Sequence, residues 1–191
     1  MADLGIRRML PADAPAVAAL ADRLIGVDYY PVDQITADLA RSTVDSTALC
    51  YVAELGDRLV GFRLTFPPGR WSSGRGKAGL TPERWPAPLA SAGYFQSCFV
   101  DPAVTGRGIG RRLGQRALDD LRRCGARLAV AHSWKESPHG SSMRYLTRLG
   151  FTPVTEHPHY WAEVDYLCSG CRLRPCICTA IEMIRPIAPA G

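Results

Sequence analysis

Apolar and polar positions along the chain change period several times, and each change predicts an element. Ile6 to Leu10 reads as a short strand. Pro11-Ala12-Asp13 then opens a segment reaching about Ile25 in which Val17, Leu20 and Leu24 recur at helical spacing, with Asp13 placed to cap it. Val32 to Ala40 repeats the helical pattern through Ile35 and Leu39, with Asp33 near its start. Ala48 to Leu55 and Leu59 to Phe66 are apolar, β-rich runs joined by Gly56-Asp57-Arg58, and predict an antiparallel hairpin. Pro67 to Ala92 keeps no period and is rich in Pro, Gly, Ser and Trp, so it reads as a long loop with one helical turn near Pro82-Glu83-Arg84.

Tyr94 to Val100 is again a strand, ended by Asp101-Pro102. A helix from about Gly108 to Arg123 carries Leu113, Ala117, Leu118 and Leu121 on one face and stops at Cys124-Gly125. Leu128 to Trp134 is an apolar strand, Ser142 to Leu149 a helix with Gly150 at its C-cap, Phe151 to Val154 a strand, and Cys178 to Ile184 the last strand. The resulting order, β, α, α, hairpin, loop, β, α, β, α, β, β, predicts an α/β fold: a mixed sheet of about seven strands with helices on both faces.

Length and composition narrow this further. A chain of 191 residues with 47% hydrophobic and 21% charged positions suits one folded domain, residues 1–191. The first residues, Met1 to Arg8, have no long apolar run, so neither a signal peptide nor a membrane span is written there, and the expected location is cytoplasmic. The formal charge of +5 rests almost wholly on arginines scattered along the chain, with only Lys77 and Lys135 beside them. That distribution favours a small anionic ligand over nucleic acid. Whether the chain forms a homodimer is left open.

Thr105-Gly106-Arg107-Gly108-Ile109-Gly110 follows a strand and opens a helix. Unpaired backbone N–H groups and the positive helix end converge at such a place and make an anion site. The glycines remove side chains that would keep a phosphate off the backbone. Arg107, Arg111 and Arg112 add planar donors suited to phosphate oxygens. The pattern lacks the Gly-Lys-Ser/Thr ending of a nucleotide-cradling loop, and it follows a fourth strand instead of the first strand of a βαβ unit, which sets it apart from a dinucleotide fingerprint.

Three segments in order carry a family resemblance: Ile6-Arg7-Arg8 with Pro11-Ala12-Asp13; Phe99-Val100-Asp101-Pro102 with the glycine turn through Leu113; and Tyr145-Leu146-Thr147-Arg148-Leu149-Gly150-Phe151. Over nearly its whole length the chain resembles the GNAT superfamily of N-acetyltransferases. The resemblance implies that backbone groups of Phe99 and Val100 pair with the pantetheine arm of acetyl-CoA. It implies also that the turn, Thr105, Gly106, Arg107, Gly108, Ile109, Gly110 and Arg111, holds the pyrophosphate. A primary amine on a small molecule or peptide would attack the thioester from the opposite side. Such chemistry needs a deprotonated amine, a donor for the carbonyl oxygen and an acid for the departing thiolate.

The sequence departs from the family pattern at Thr105, where Gln or Arg is usual, and at Leu146, where many members place a Tyr acid. Tyr145 is one residue away, about 100° round the helix, and is expected to point elsewhere. The remaining candidates for acid or base are His132, Glu136, His139 and Tyr160, with Tyr94 nearby. Trp71, Trp85, Tyr160 and Trp161 are candidate linings of an acceptor pocket under the long loop. With the catalytic group unassigned, a non-catalytic acyl-CoA-binding module stands as the alternative to an enzyme, and an interaction module built on the cysteines as a third reading.

Of the seven cysteines, Cys50, Cys98 and Cys124 sit in apolar segments and read as core residues. Cys168, Cys171, Cys176 and Cys178 form a CxxC and a CxC within residues 168–178, a set of four soft ligands for one tetrahedral Zn²⁺ of structural type. Arg172 and Arg174 would offset the charge of such a centre. Reduced thiols without metal, or paired disulfides, are the alternatives.

Overall fold

The structure is a computed structural model that describes residues 3–76 and 79–189, so Lys77 lies outside the described residues. Its elements are β1 (Leu4–Arg8), α1 (Ala14–Leu24), β2 (Gly26–Val27), α2 (Val32–Arg41), β3 (Thr43–Val44), β4 (Thr47–Ala48), β5 (Tyr51–Leu55) and β6 (Arg58–Phe66). Then follow β7 (Ala92–Val100), α3 (Ile109–Arg123), β8 (Leu128–Trp134), α4 (Ser141–Arg148), β9 (Thr152–His157), β10 (Leu167–Cys168) and β11 (Ala180–Pro186). Seven strands make the main sheet in the order β1-β5-β6-β7-β8-β11-β9. Neighbours are antiparallel except β7 and β8, which run parallel.

Strand alternation sends side chains to two cores, one under each helix pair. Phe62 and Leu64 of β6 pack with Val17 and Leu20 of α1 and Ile35 of α2. On the other face Phe95 of β7 packs with Leu118 of α3 and Leu146 of α4. The stripe predicted for α3 is buried, and burying each such leucine contributes roughly 2 kcal/mol. With both faces of the sheet covered, a polar side chain in a central strand faces protein, not water.

Several expected boundaries shift. β1 stops at Arg8 because the chain turns there, burying Met9 and leaving Leu10 exposed. Asp13 does not cap α1 through its side chain; its carboxylate accepts two bonds from Arg7, at 2.7 and 2.8 Å, and one from the Leu10 N–H at 2.7 Å. The last strand begins at Ala180, since Cys178 is held in the cysteine cluster. The two-residue ribbons β2 with β10 and β3 with β4 are too short to show a period in sequence.

The long loop is anchored by buried side chains. The Trp71 indole donates to the Ala92 carbonyl and stacks on Tyr94 with centroids 4.6 Å apart. Glu182 of β11, fully buried, accepts from the Thr81 N–H and hydroxyl, from the Trp85 indole and from His157. These bonds hold its carboxyl below its ordinary range despite the burial that raises it.

Candidate active site

β7 and β8 pair only over Ala92–Phe95 with Leu128–Ala131, then part. The opening is a cleft of about 730 Å³, open solvent at its mouth included. Gln96 has no cross-strand partner in β6, so β7 bulges at the point where the strands separate. The side chains either side of the bulge are fixed: Gln96 donates to Asp38 at 2.9 Å, and the Ser97 and Tyr30 hydroxyls bond at 2.7 Å. Beyond Phe95 the β8-facing edge of β7, with Phe99 and Val100 on it, is left without a strand partner.

The glycine turn stands at the far end of that edge. The Asp101 carboxylate accepts from the Ala103 N–H at 3.0 Å, and the Thr105 hydroxyl donates to the Pro102 carbonyl at 3.0 Å, so Thr105 serves the turn itself. Gly106 and Gly108 have φ of 84° and 69°, a region that favours glycine, and a Cβ at either would meet nothing within 4 Å. Their surfaces are free for a ligand. Gly110 differs in facing the Tyr145 ring, which a Cβ there would meet at an ordinary contact distance of 3.4 Å. The first helical bond runs from the Arg112 N–H to the Gly108 carbonyl, so the N–H groups just before it have no acceptor within α3. Arg107, Arg111 and Arg112 are exposed around them.

Of the expected catalytic candidates, His132, Tyr145 and Tyr160 line the cleft. Glu136 does not; its carboxylate accepts from the Thr179 N–H on an exposed turn. His139 sits exposed, with φ of 54°, ahead of α4 and also away from the cleft. Trp161 lines the cleft with Tyr160, whereas Trp71 and Trp85 are loop anchors. Tyr145 corrects the sequence expectation. Gly110 and Gly114, four apart on α3, leave a groove that its ring enters, and a Cβ on Gly114 would stand 2.6 Å from its hydroxyl. Leu146 packs into the core beside Phe151.

His132 Nε2 lies 2.7 Å from the Gly79 carbonyl, which requires a proton on Nε2. Nδ1 is then the acceptor for the hydroxyls of Tyr94, at 2.8 Å, and Tyr160, at 3.2 Å. Burial pushes the imidazole down to about 4, so it is neutral at physiological pH. The unfolded chain binds the extra proton first, near pH 6.5; the stability contributed by neutral His132 is complete above that pH and lost as pH falls toward 4. We expect Tm to fall through this window, and the fall to be shallower in His132→Gln; equal slopes by scanning calorimetry would remove His132 as the cause.

Four buried side-chain polar groups, all donors, lack a hydrogen-bond partner among the described residues: Arg63 Nη2, Arg75 Nε, Trp134 Nε1 and the Tyr145 hydroxyl. All four residues line the cleft. Sequence reading missed Arg63 and Arg75. The available signal for Arg63 was an arginine set between Phe62 and Leu64 in an otherwise apolar strand.

Beside the cleft, the cysteines converge as expected. The Sγ atoms of Cys168, Cys171, Cys176 and Cys178 lie within 4.8 Å of one another, with 168 to 178 and 171 to 176 both at 3.8 Å. Zn–S bonds of about 2.3 Å in a tetrahedron give S···S edges of about 3.8 Å. All four are free thiols. The Arg172 N–H bonds the Cys168 carbonyl to close the CxxC turn, and the Cys178 N–H points at Cys176 Sγ, 3.4 Å away. Arg174 is turned to Asp165, at 2.5 Å, instead of to the sulfurs. Gly170 lies flush on Trp134, where a Cβ would come within 2.1 Å of the indole, and Cys168 itself lines the cleft.

No described helix is long and apolar enough to cross a membrane. Over 77 residues the chain is 42% identical to the L-methionine sulfoximine/L-methionine sulfone acetyltransferase of Salmonella typhimurium, spanning 37% of this chain and 44% of that one. Over 86 residues it is 35% identical to the mycothiol acetyltransferase of Beutenbergia cavernae, spanning 44% of this chain and 28% of that one. The matched stretches thus span less than half the length of these relatives. In fold it is similar to the Salmonella typhimurium protein yncA solved with its cofactor acetyl-CoA, at TM-score 0.67 and 21% identity, covering 98% of this chain and 96% of that one. The Escherichia coli ribosomal-protein-S18-alanine N-acetyltransferase gives TM-score 0.66 at 15% identity, covering 99% and 97%. The profile of the Acetyltransferase (GNAT) family matches residues 20–151, which takes in the parted strands, the glycine turn and α4, and the chain belongs to that family.

Proposed function

We propose that the protein is an N-acetyltransferase that moves the acetyl group of acetyl-CoA to a primary amine held in the cleft. The observation that carries this reading is the glycine turn, with its open Gly106 and Gly108 surfaces, standing at the end of a strand edge that leads into a cleft. Backbone amides from Gly106 to Arg111 would hold the pyrophosphate, with Arg107, Arg111 and Arg112 around it. The open edge at Phe99 and Val100 would pair with the pantetheine arm. Acetyl-CoA supplies an activated acyl group when bound.

The chain's own residues divide the work by face. Tyr94, His132 and Tyr160 stand on the α1 and α2 side, and there the neutral imidazole orients the tyrosine hydroxyls toward an incoming amine. The Tyr160 hydroxyl gives its hydrogen to His132 and would accept the amine's N–H, while the proton the amine loses leaves to solvent through the cleft mouth. On the other side Tyr145, whose hydroxyl burial holds well above its usual range, keeps its proton until a strong base appears beside it, which suits an acid for the leaving sulfur. The cysteine cluster would hold one structural Zn²⁺, all four positions being filled by protein.

Release of free thiol on mixing the protein with acetyl-CoA and a panel of amino acids, polyamines, aminoglycosides and N-terminal peptides tests the reading. Turnover with at least one amine, falling about a hundredfold in Tyr145→Phe, is the expected result. Tight acetyl-CoA binding with no turnover across the panel would make the protein a binding module.

A further inference from the structure

Unpartnered buried donors are rare in folded proteins, and Arg63 is the extreme case here. It is 1% exposed, its one side-chain hydrogen bond among the described residues runs from Nε to the Thr65 hydroxyl at 3.1 Å, and Nη2 has no partner. Its guanidinium carbon lies 3.5 Å from the centroid of the Phe95 ring, whose face offsets only part of the lost hydration. Burying a cation against a hydroxyl and a ring, with no carboxylate, is unfavourable unless a ligand brings the anion.

Strand alternation says which ligand atoms can reach it. Arg63 and its cross-strand partner Cys98 lie on the α3 and α4 face, opposite Tyr94 and His132. Tyr145 also reaches that face; burial raises its pKa while Arg63 pulls it down, so the two groups share one electrostatic site. Two donors, one permanently charged and one able to release a proton, thus meet on the cofactor side of the point where the strands part.

Resting on the acetyltransferase reading above, we propose that Arg63 is a catalytic residue that holds the sulfur of CoA as a thiolate. The amine nitrogen bonds the thioester carbonyl carbon, and the carbonyl π pair moves to oxygen. As that pair returns, the carbon–sulfur bond breaks and its electrons pass to sulfur, against Arg63 Nη2–H. The sulfur stays a thiolate against Arg63 while CoA is bound, accepting a hydrogen bond from the Tyr145 hydroxyl, which gives it a proton as CoA departs and recovers one from solvent; the proton lost by the amine goes to solvent through the cleft mouth. Arg63 itself never changes charge, so the site is positive throughout.

Calorimetric titration of CoA, in buffers of different ionisation heat near pH 8, counts the protons released on binding. The native protein is expected to release more protons with CoA than with desulfo-CoA, the analogue without the thiol, and Arg63→Met to erase that difference. Arg63→Met should keep or raise Tm, because an unpaired buried charge is removed. It should lose about a hundredfold in kcat with KM for acetyl-CoA changed less than about threefold, and Arg63→Lys should recover part of the loss. Equal proton release for the two compounds on the native protein would overturn the proposal, as would native kcat in Arg63→Met. If Arg63→Met does not fold, the native comparison decides alone. Failure of the native protein to bind CoA at all would bring down the acetyltransferase reading as well, a result distinct from binding without thiol ionisation.

Discussion

Gly108→Glu is expected to weaken acetyl-CoA binding by about a hundredfold while leaving the fold in place. A left-handed conformation at a non-glycine residue costs roughly 1 to 2 kcal/mol, and Gly108 has φ of 69°. Against this, a carboxylate at the N-terminus of α3 stabilises the free helix by up to about 1 kcal/mol, and nothing within 4 Å of the new Cβ obstructs it. The free protein therefore loses little. A pyrophosphate at the same amides would meet a negative charge about 6 Å away, worth roughly 2 to 3 kcal/mol at an effective dielectric near 20. Gly108→Asn, which tolerates the left-handed region and adds no charge, is expected to lose about tenfold or less. Titration calorimetry with acetyl-CoA at low and raised salt reads both, and the gap between the two variants should narrow as salt screens the charge. Native-like affinity in Gly108→Glu would remove the turn from the binding site.

What could be read ahead of the structure follows from how far each signal reaches. Leu113, Ala117, Leu118 and Leu121 define a face within one helix, and that face is buried as expected. Gly106 and Gly108 pointed to a tight turn opening a helix because strand, turn and helix are contiguous in the chain, and both glycines are left-handed there. Tyr145 could not be placed this way. Helical spacing gives its angle relative to Leu146, but the groove that receives it belongs to Gly110 and Gly114 of α3, some thirty residues earlier. Arg63 was hidden for a related reason: alternation assigns it a face of β6, and only the arrival of α3 and α4 makes that face interior. Glu182, between Ile181 and Met183, has the same history, since its partners Thr81 and Trp85 come from a loop with no period of its own. Every polar residue the sequence missed lies where two segments distant along the chain meet.

The cysteine cluster carries the other large expected effect. Purified without chelator, the protein should contain close to one zinc per chain, and Cys171→Ser should lose it, lowering Tm by on the order of 10 °C. The size follows from what the loop holds: Cys168, Cys176 and Cys178 are all buried in the core shared with α1 and α2, and the loop between them is fastened to that core by few other bonds. Four thiols within 4.8 Å of one another, one of them ending the β10 ribbon, would let a single metal ion tie together both ends of the segment that precedes β11. The effect on function should be selective. Val104 and Ile109 seat the glycine turn in a different core from the one that holds the cysteines, so acetyl-CoA affinity should stay within about threefold, while Cys168 and Trp134 line the cleft and their displacement should raise KM for the amine. A native protein free of metal by elemental analysis, or one whose Tm ignores a strong chelator, would end the zinc assignment. A rise in KM for acetyl-CoA equal to that for the amine would show instead that the cluster supports the whole sheet and not the acceptor side of the cleft.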